Sequence, residues 1–119
     1  MTDDRLSWIK IAESEAELIF NASNIAEVVT SERTICIAKF QHELFAFSNK
    51  CPHASGLFVD GYVDAMGNVV CPIHRYKFCM RNGRNVTGEG YFLRTWKVEV
   101  RNDGIYVAFE KSKLFGFPD

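Results

Sequence analysis

Two short motifs constrain this chain more than its composition does. Cys51-Pro52-His53 opens one polar stretch and Cys71-Pro72-Ile73-His74 opens another, with residues 54–70 between them. Each motif offers one thiol and one imidazole. Each proline fixes φ on the loop that presents its pair. The surrounding stretch, residues 51–90, is loop-rich and poor in aliphatic core. Such a stretch needs a staple to fold, and a metal centre held by both motifs can be that staple. Gly56 and Gly61 permit close backbone approach, so that amide N–H groups can point at the sulfurs.

On either side the pattern is short apolar runs separated by turn residues, which reads as β-structure. Strands are predicted over residues 6–11, 26–30, 34–40 and 43–48, the last two joined by a tight turn at Gln41 and His42. Residues 13–20 are one helical turn or a loop that breaks the sheet. Residues 61–64 and 68–71 flank Ala65, Met66 and Gly67 and suggest a small hairpin. Residues 78–80 are a further short strand, ended by Arg81, Asn82 and Gly83. Residues 84–90 carry two glycines and little that packs. Residues 93–101 and 105–110 form the clearest hairpin, with Asn102, Asp103 and Gly104 as its turn, because Asp-Gly readily takes positive φ. The tail, with Leu114, Phe115 and Phe117, could dock on the body or on a partner. We therefore expect an all-β fold in one domain, residues 1–119. Its antiparallel sandwich or barrel body spans about 1–50 and 91–119, and a loop-rich insert spans about 51–90.

Composition enters by exclusion. The chain has 119 residues and is 47% hydrophobic, enough for one core and unlike a disordered segment. With 14 basic against 15 acidic side chains it has no basic excess to draw it to nucleic acid. The first ten residues are acidic and polar where a secretion signal would be basic and then apolar, and no stretch is apolar enough to span a membrane. The expectation is a cytoplasmic protein without nucleic-acid or membrane partners. In a reducing compartment, cysteines beside histidines point to metal, not to a disulfide framework. Cys36 and Cys79 lie in apolar runs and read as buried structural thiols, and His42 as a solvated turn residue. No nucleophile triad or phosphate-binding Gly loop stands out, so no catalytic residue is expected.

The ligand chemistry points to iron and sulfide. Two imidazoles in place of two thiolates remove two negative charges from a cluster, which eases reduction. The run C-P-H…C-P-I-H-R-Y-K-F resembles the signature of Rieske-type iron–sulfur proteins, and the whole chain resembles the small stand-alone Rieske ferredoxins that serve ring-hydroxylating oxygenases. The resemblance extends to the early Trp strand, to Phe78 and Gly83, and to the closing hairpin. It implies one [2Fe-2S] cluster, with Cys51 and Cys71 on the inner iron and His53 and His74 on the outer, surface-facing one. It also implies a one-electron carrier, not an enzyme. Its redox partners would be an NAD(P)H-dependent flavin reductase and a terminal oxygenase. The alternative is a small subunit bound to the large subunit of an assimilatory nitrite reductase. A structural zinc module is a further alternative, since Cys₂His₂ suits tetrahedral zinc. Zinc motifs usually pair like with like, whereas the order here is Cys, His, Cys, His.

Departures from the family pattern bear on potential. High-potential relatives carry two more cysteines, at the positions of Gly56 and Ile73, and Ser and Tyr hydroxyls at the positions of Tyr76 and Phe78. Losing hydrogen bonds to cluster sulfur disfavours the more negative reduced state, so a potential of roughly −150 mV is expected. Many relatives have Gly where Arg75 stands. Many also have a proline loop over the cluster; here Gly88, Gly90 and Tyr91 would do that work. Arg75 and Lys77 are expected to form a basic rim that steers an acidic partner.

Overall fold

The computed structural model describes residues 5–31, 33–53 and 56–110. They form an all-β, antiparallel fold. The strands are β1 (Leu6–Ala12), β2 (Ile25–Val29), β3 (Thr34–Phe40), β4 (Glu43–Ser48), β5 (Tyr62–Val63), β6 (Asn68–Val70), β7 (Lys77–Cys79), β8 (Thr95–Arg101) and β9 (Gly104–Glu110). A six-stranded sheet runs in the order β1-β9-β8-β4-β3-β2, and a three-stranded sheet runs β5-β6-β7. The stretch left open at residues 13–20 is a single 3₁₀ turn, Glu15–Glu17, followed by the buried Leu18. The tail with Leu114, Phe115 and Phe117 lies outside the described residues. Among the described residues no helix is long and apolar enough to cross a membrane.

The hairpin β3–β4 is the wall that the two halves share. Successive strand side chains point to opposite faces, and here both faces are buried. Ile35 and Ile37 on β3, with Leu44 and Ala46 on β4, pack against Ile105, Val107 and Phe109. Cys36, Ala38, Phe45 and Phe47 point the other way, into a second core with Phe58, Val69, Phe78 and Leu93. Burial on two sides is why these strands read as nearly continuous apolar runs. Phe58 is fully buried between Phe47 and Phe78, edge-on to each at 5.8 Å between ring centroids. This aromatic stack fastens the three-stranded sheet and its loops onto the body.

Turn chemistry sets the registers. Gln41 and His42 both take positive φ (51° and 67°), the geometry that a two-residue hairpin loop needs to match strand twist. In the β5–β6 turn the Asp64 carboxylate accepts the amides of Met66 and Asn68, each at 2.9 Å. The closing hairpin departs from expectation. Arg101 pairs directly with Gly104, so Asn102 and Asp103 alone form the loop and Gly104 begins β9. Glycine is required there by packing: a Cβ would lie 2.7 Å from the Ala12 carbonyl oxygen on β1.

Candidate metal centre

Both motifs sit on loops closed at their bases by backbone hydrogen bonds. The first leaves β4 at Ser48. It is pinched by a bridge between Lys50 and Leu57, by the Phe58 amide donating to the Asn49 carbonyl (2.8 Å), and by the Cys51 amide donating to the Gly56 carbonyl (2.9 Å). The second joins β6 to β7, where Val70 pairs with Lys77, and the Cys71 amide donates to the Tyr76 carbonyl (2.9 Å). Its tip turns through His74 and Arg75, both left-handed at φ 64° and 61°. Arg75 thus holds a backbone conformation natural to glycine, at a cost of about 1 kcal/mol.

The two loops touch through Gly56. A Cβ on this residue would come within 2.9 Å of Cys71 Sγ and 2.8 Å of Ile73 Cγ1. The donor atoms of Cys51, His53 and Cys71 all lie within 4.8 Å of one another. Cys51 Sγ is 3.4 Å from His53 Nδ1, and His53 Nε2 is 3.0 Å from His74 Nδ1. Burial is graded across the site: both cysteines are buried, His53 is half-buried and His74 is exposed. Burial pushes the Cys71 thiol up, against the pull of an amide hydrogen bond from Ile73. A thiolate in this place therefore calls for a cation beside it, and a bound metal answers that need. A Cys/His triad of this kind fits metal coordination, with His74 next to it.

Aromatic rings close over the imidazoles. The Tyr76 ring lies 3.9 Å from that of His53, and Tyr91 lies 5.7 Å from His53 while stacking on Tyr76 at 6.3 Å. Tyr91 is thus beside the first histidine. Phe78 is buried against Phe58 and brings no hydroxyl. The preceding loop owes its shape to polar side chains. Asn85 Oδ1 accepts the amides of Glu89 and Gly90, and Asn85 Nδ2 donates to the Lys77 carbonyl at 3.1 Å. The Thr87 hydroxyl, and after it the Asn85 amide, hold the Glu89 carboxyl below its usual range.

Other cysteines stay apart from the triad. Cys36 is wholly buried, and its thiol donates to Asn49 Oδ1 at 3.1 Å. Cys79, in contrast to the expectation of burial, is only half-buried, because β7 is a short strand whose side chains alternate in exposure. Lys77 extends toward Asp64 at 3.5 Å, while Arg75 is exposed at the tip of the second loop. Sequence reasoning missed Asn49 and Asn85. The available signals were a lone amide between an apolar strand and a ligand motif, and an Asn followed by two glycines.

Comparison with known proteins agrees with this geometry. A family model described as a Rieske-like [2Fe-2S] domain matches residues 7–108. A 3-phenylpropionate/cinnamic acid dioxygenase ferredoxin subunit of Photorhabdus laumondii is 28% identical over 80 residues, which are 66% of this chain and 76% of the relative. The ferredoxin of carbazole 1,9a-dioxygenase from Nocardioides aromaticivorans superposes with a TM-score of 0.71 at 19% identity, over 85% of this chain and 96% of that one. A chain assigned as the small subunit of an NADH-dependent nitrite reductase from Mycobacterium tuberculosis gives 0.75 at 19% identity, over 91% and 99%.

Proposed function

The chain belongs to the Rieske-like [2Fe-2S] domain family, and on that footing we propose that it is a one-electron carrier holding one cluster on Cys51, His53, Cys71 and His74. The observation that carries this reading is the convergence of the Cys51, His53 and Cys71 donor atoms, with His74 in contact at the surface side. Cys51 and Cys71 would hold the buried iron, and His53 and His74 the outer one. When bound, the cluster supplies reversible storage of one electron. The chain's own residues do the rest. Buried thiol positions keep water from the inner side, Tyr76 and Tyr91 cover His53, and His74 presents an exposed edge to a partner. Residues 1–119 act as one domain, with residues 51–90 as the cluster-binding part.

We further propose a cytoplasmic route in which an NAD(P)H-dependent flavin reductase loads the electron and a terminal oxygenase takes it. This is supported by the curated relatives, which are dioxygenase ferredoxin subunits. Likeness to the nitrite reductase small subunit is one of fold. Anaerobic NADH titration of the purified holoprotein with a catalytic amount of flavin reductase tests the assignment. Complete reduction, with a midpoint of roughly −150 mV, is expected. Stoichiometric co-purification with a large reductase would replace the carrier by a subunit, and a colourless protein with equimolar zinc would remove the cluster.

A further inference from the structure

Among the described residues, Asn49 is the one buried polar side chain. It stands two positions before Cys51, where β4 gives way to the first ligand loop. A buried amide must have its donors and acceptor satisfied, and the partners found here are informative. Asn49 Nδ2 donates to Glu27 Oε2 at 2.6 Å, and Asn49 Oδ1 accepts from the Cys36 thiol at 3.1 Å. Glu27 and Cys36 are direct cross-strand partners on β2 and β3. The amide is therefore clamped across a paired position of the rigid body sheet. A carboxylate can only accept, which orients the amide and leaves its oxygen for the thiol.

The same residue fixes the far end of the loop. Its carbonyl accepts the Phe58 amide at 2.8 Å. Phe58 is itself locked in the aromatic stack. Both ends of the loop carrying Cys51 and His53 are thus referred to Asn49, whose side chain is held by the buried Cys36 on one side and by Glu27, at the sheet surface, on the other. Burial holds the Cys36 thiol protonated well above neutral pH, so that it serves as a donor.

We propose that Asn49 is a positioning residue for the cluster, its side chain clamped between Cys36 and Glu27 so as to hold the Cys51–His53 loop in ligating geometry. This rests on the cluster reading above. Supporting groups that lock ligand loops reduce the conformational freedom of the ligands themselves. A looser first loop then releases metal faster and broadens the distribution of ligand geometries.

The test uses purified holoprotein as wild type, as Asn49→Leu, as Asn49→Asp, and as the double variant Asn49→Asp with Glu27→Gln. Three readouts are taken: the rate of iron release to a chelator, the EPR line width of the reduced state, and the thermal midpoint. Asn49→Leu removes both side-chain hydrogen bonds and should release iron about tenfold faster, with broadened lines. Asn49→Asp sets two carboxylates together. Adding Glu27→Gln restores a donor facing the introduced carboxylate and should recover much of the release rate and line width, which a general loss of stability would not do. If Asn49→Leu fails to fold, Asn49→Asp and the double variant carry the test. Wild-type release and line width in Asn49→Leu, or no recovery in the double variant, would overturn the inference. A wild-type protein without iron and sulfide would instead overturn the cluster reading beneath it.

Discussion

Gly56→Ala is the smallest change that should unseat the centre. Carbon and its neighbours pack at about 3.5–4.0 Å. The added methyl would sit 2.8 Å from Ile73 Cγ1 and 2.9 Å from Cys71 Sγ. The two contacts differ in what they cost. Ile73 is 42% exposed and can rotate away. Cys71 is fully buried with its amide held by Tyr76, so its sulfur can yield only by leaving its ligand position. Overpacking of this kind costs about 2 kcal/mol, which corresponds to on the order of 30-fold in metal retention. If the folded state bears the strain, the thermal midpoint falls by roughly 6–8 °C. Iron content and release to a chelator, measured beside differential scanning calorimetry, report both. Adding Ile73→Ala should recover only part of the loss, because the Cys71 contact remains. Gly88→Ala is the control: φ is +87° with nothing within 4 Å of a Cβ. It should cost about 1 kcal/mol of backbone strain and no iron. Wild-type iron retention in Gly56→Ala would show that the two loops are not in the contact described.

Other expected outcomes follow from burial and charge. Burial raises the Cys36 thiol from 9.0 to about 12. Its stabilising contribution is therefore complete below pH 9 and is lost as pH rises from 9 toward 12, by up to about 4 kcal/mol. Denaturant titrations of wild type and Cys36→Ser over that range should differ in slope, and parallel curves would remove Cys36 as the cause. Phe58→Ala empties the centre of the aromatic stack and should cost about 3–5 kcal/mol by chemical denaturation, with iron lost at lower denaturant than unfolding of the body. Arg75→Glu should slow electron transfer with an acidic partner several-fold at low ionic strength and little at high. Stopped-flow rates with unchanged salt dependence would discard Arg75 as a steering charge.

What is legible in the sequence follows the strength of local physics. β3 and β4 are readable to the residue because both faces are buried, so each carries four apolar residues in a row, Ile35 to Ala38 and Leu44 to Phe47, with polar residues gathered at the turn between them. The convergence of Cys51, His53 and Cys71 is readable because two Cys-Pro loops in a core-poor insert have few other reasons to exist. Gly104 reads as a turn residue because Asp-Gly is a strong local signal. Its real constraint, the backbone of β1, is non-local and leaves no trace in the neighbouring residues. The loop 84–90 reads as unpacked because Val86 is its only apolar side chain and is exposed. Its order comes from the Asn85 side chain, which substitutes hydrogen bonds for burial. Asn49 escapes notice for a related reason, since a single amide becomes informative only when Glu27 and Cys36 are known to be neighbours.

A low-potential [2Fe-2S] centre with mixed Cys and His ligation is proposed on Cys51, His53, Cys71 and His74. The most direct measurement is an EPR spectrum of the purified protein, taken first after ascorbate and then after dithionite. Silence is expected after ascorbate and, after dithionite, a signal of low average g as mixed ligation requires. A signal already present after ascorbate would contradict the low potential drawn from Tyr76 and Phe78. Silence after both, in a colourless protein, would contradict the centre itself.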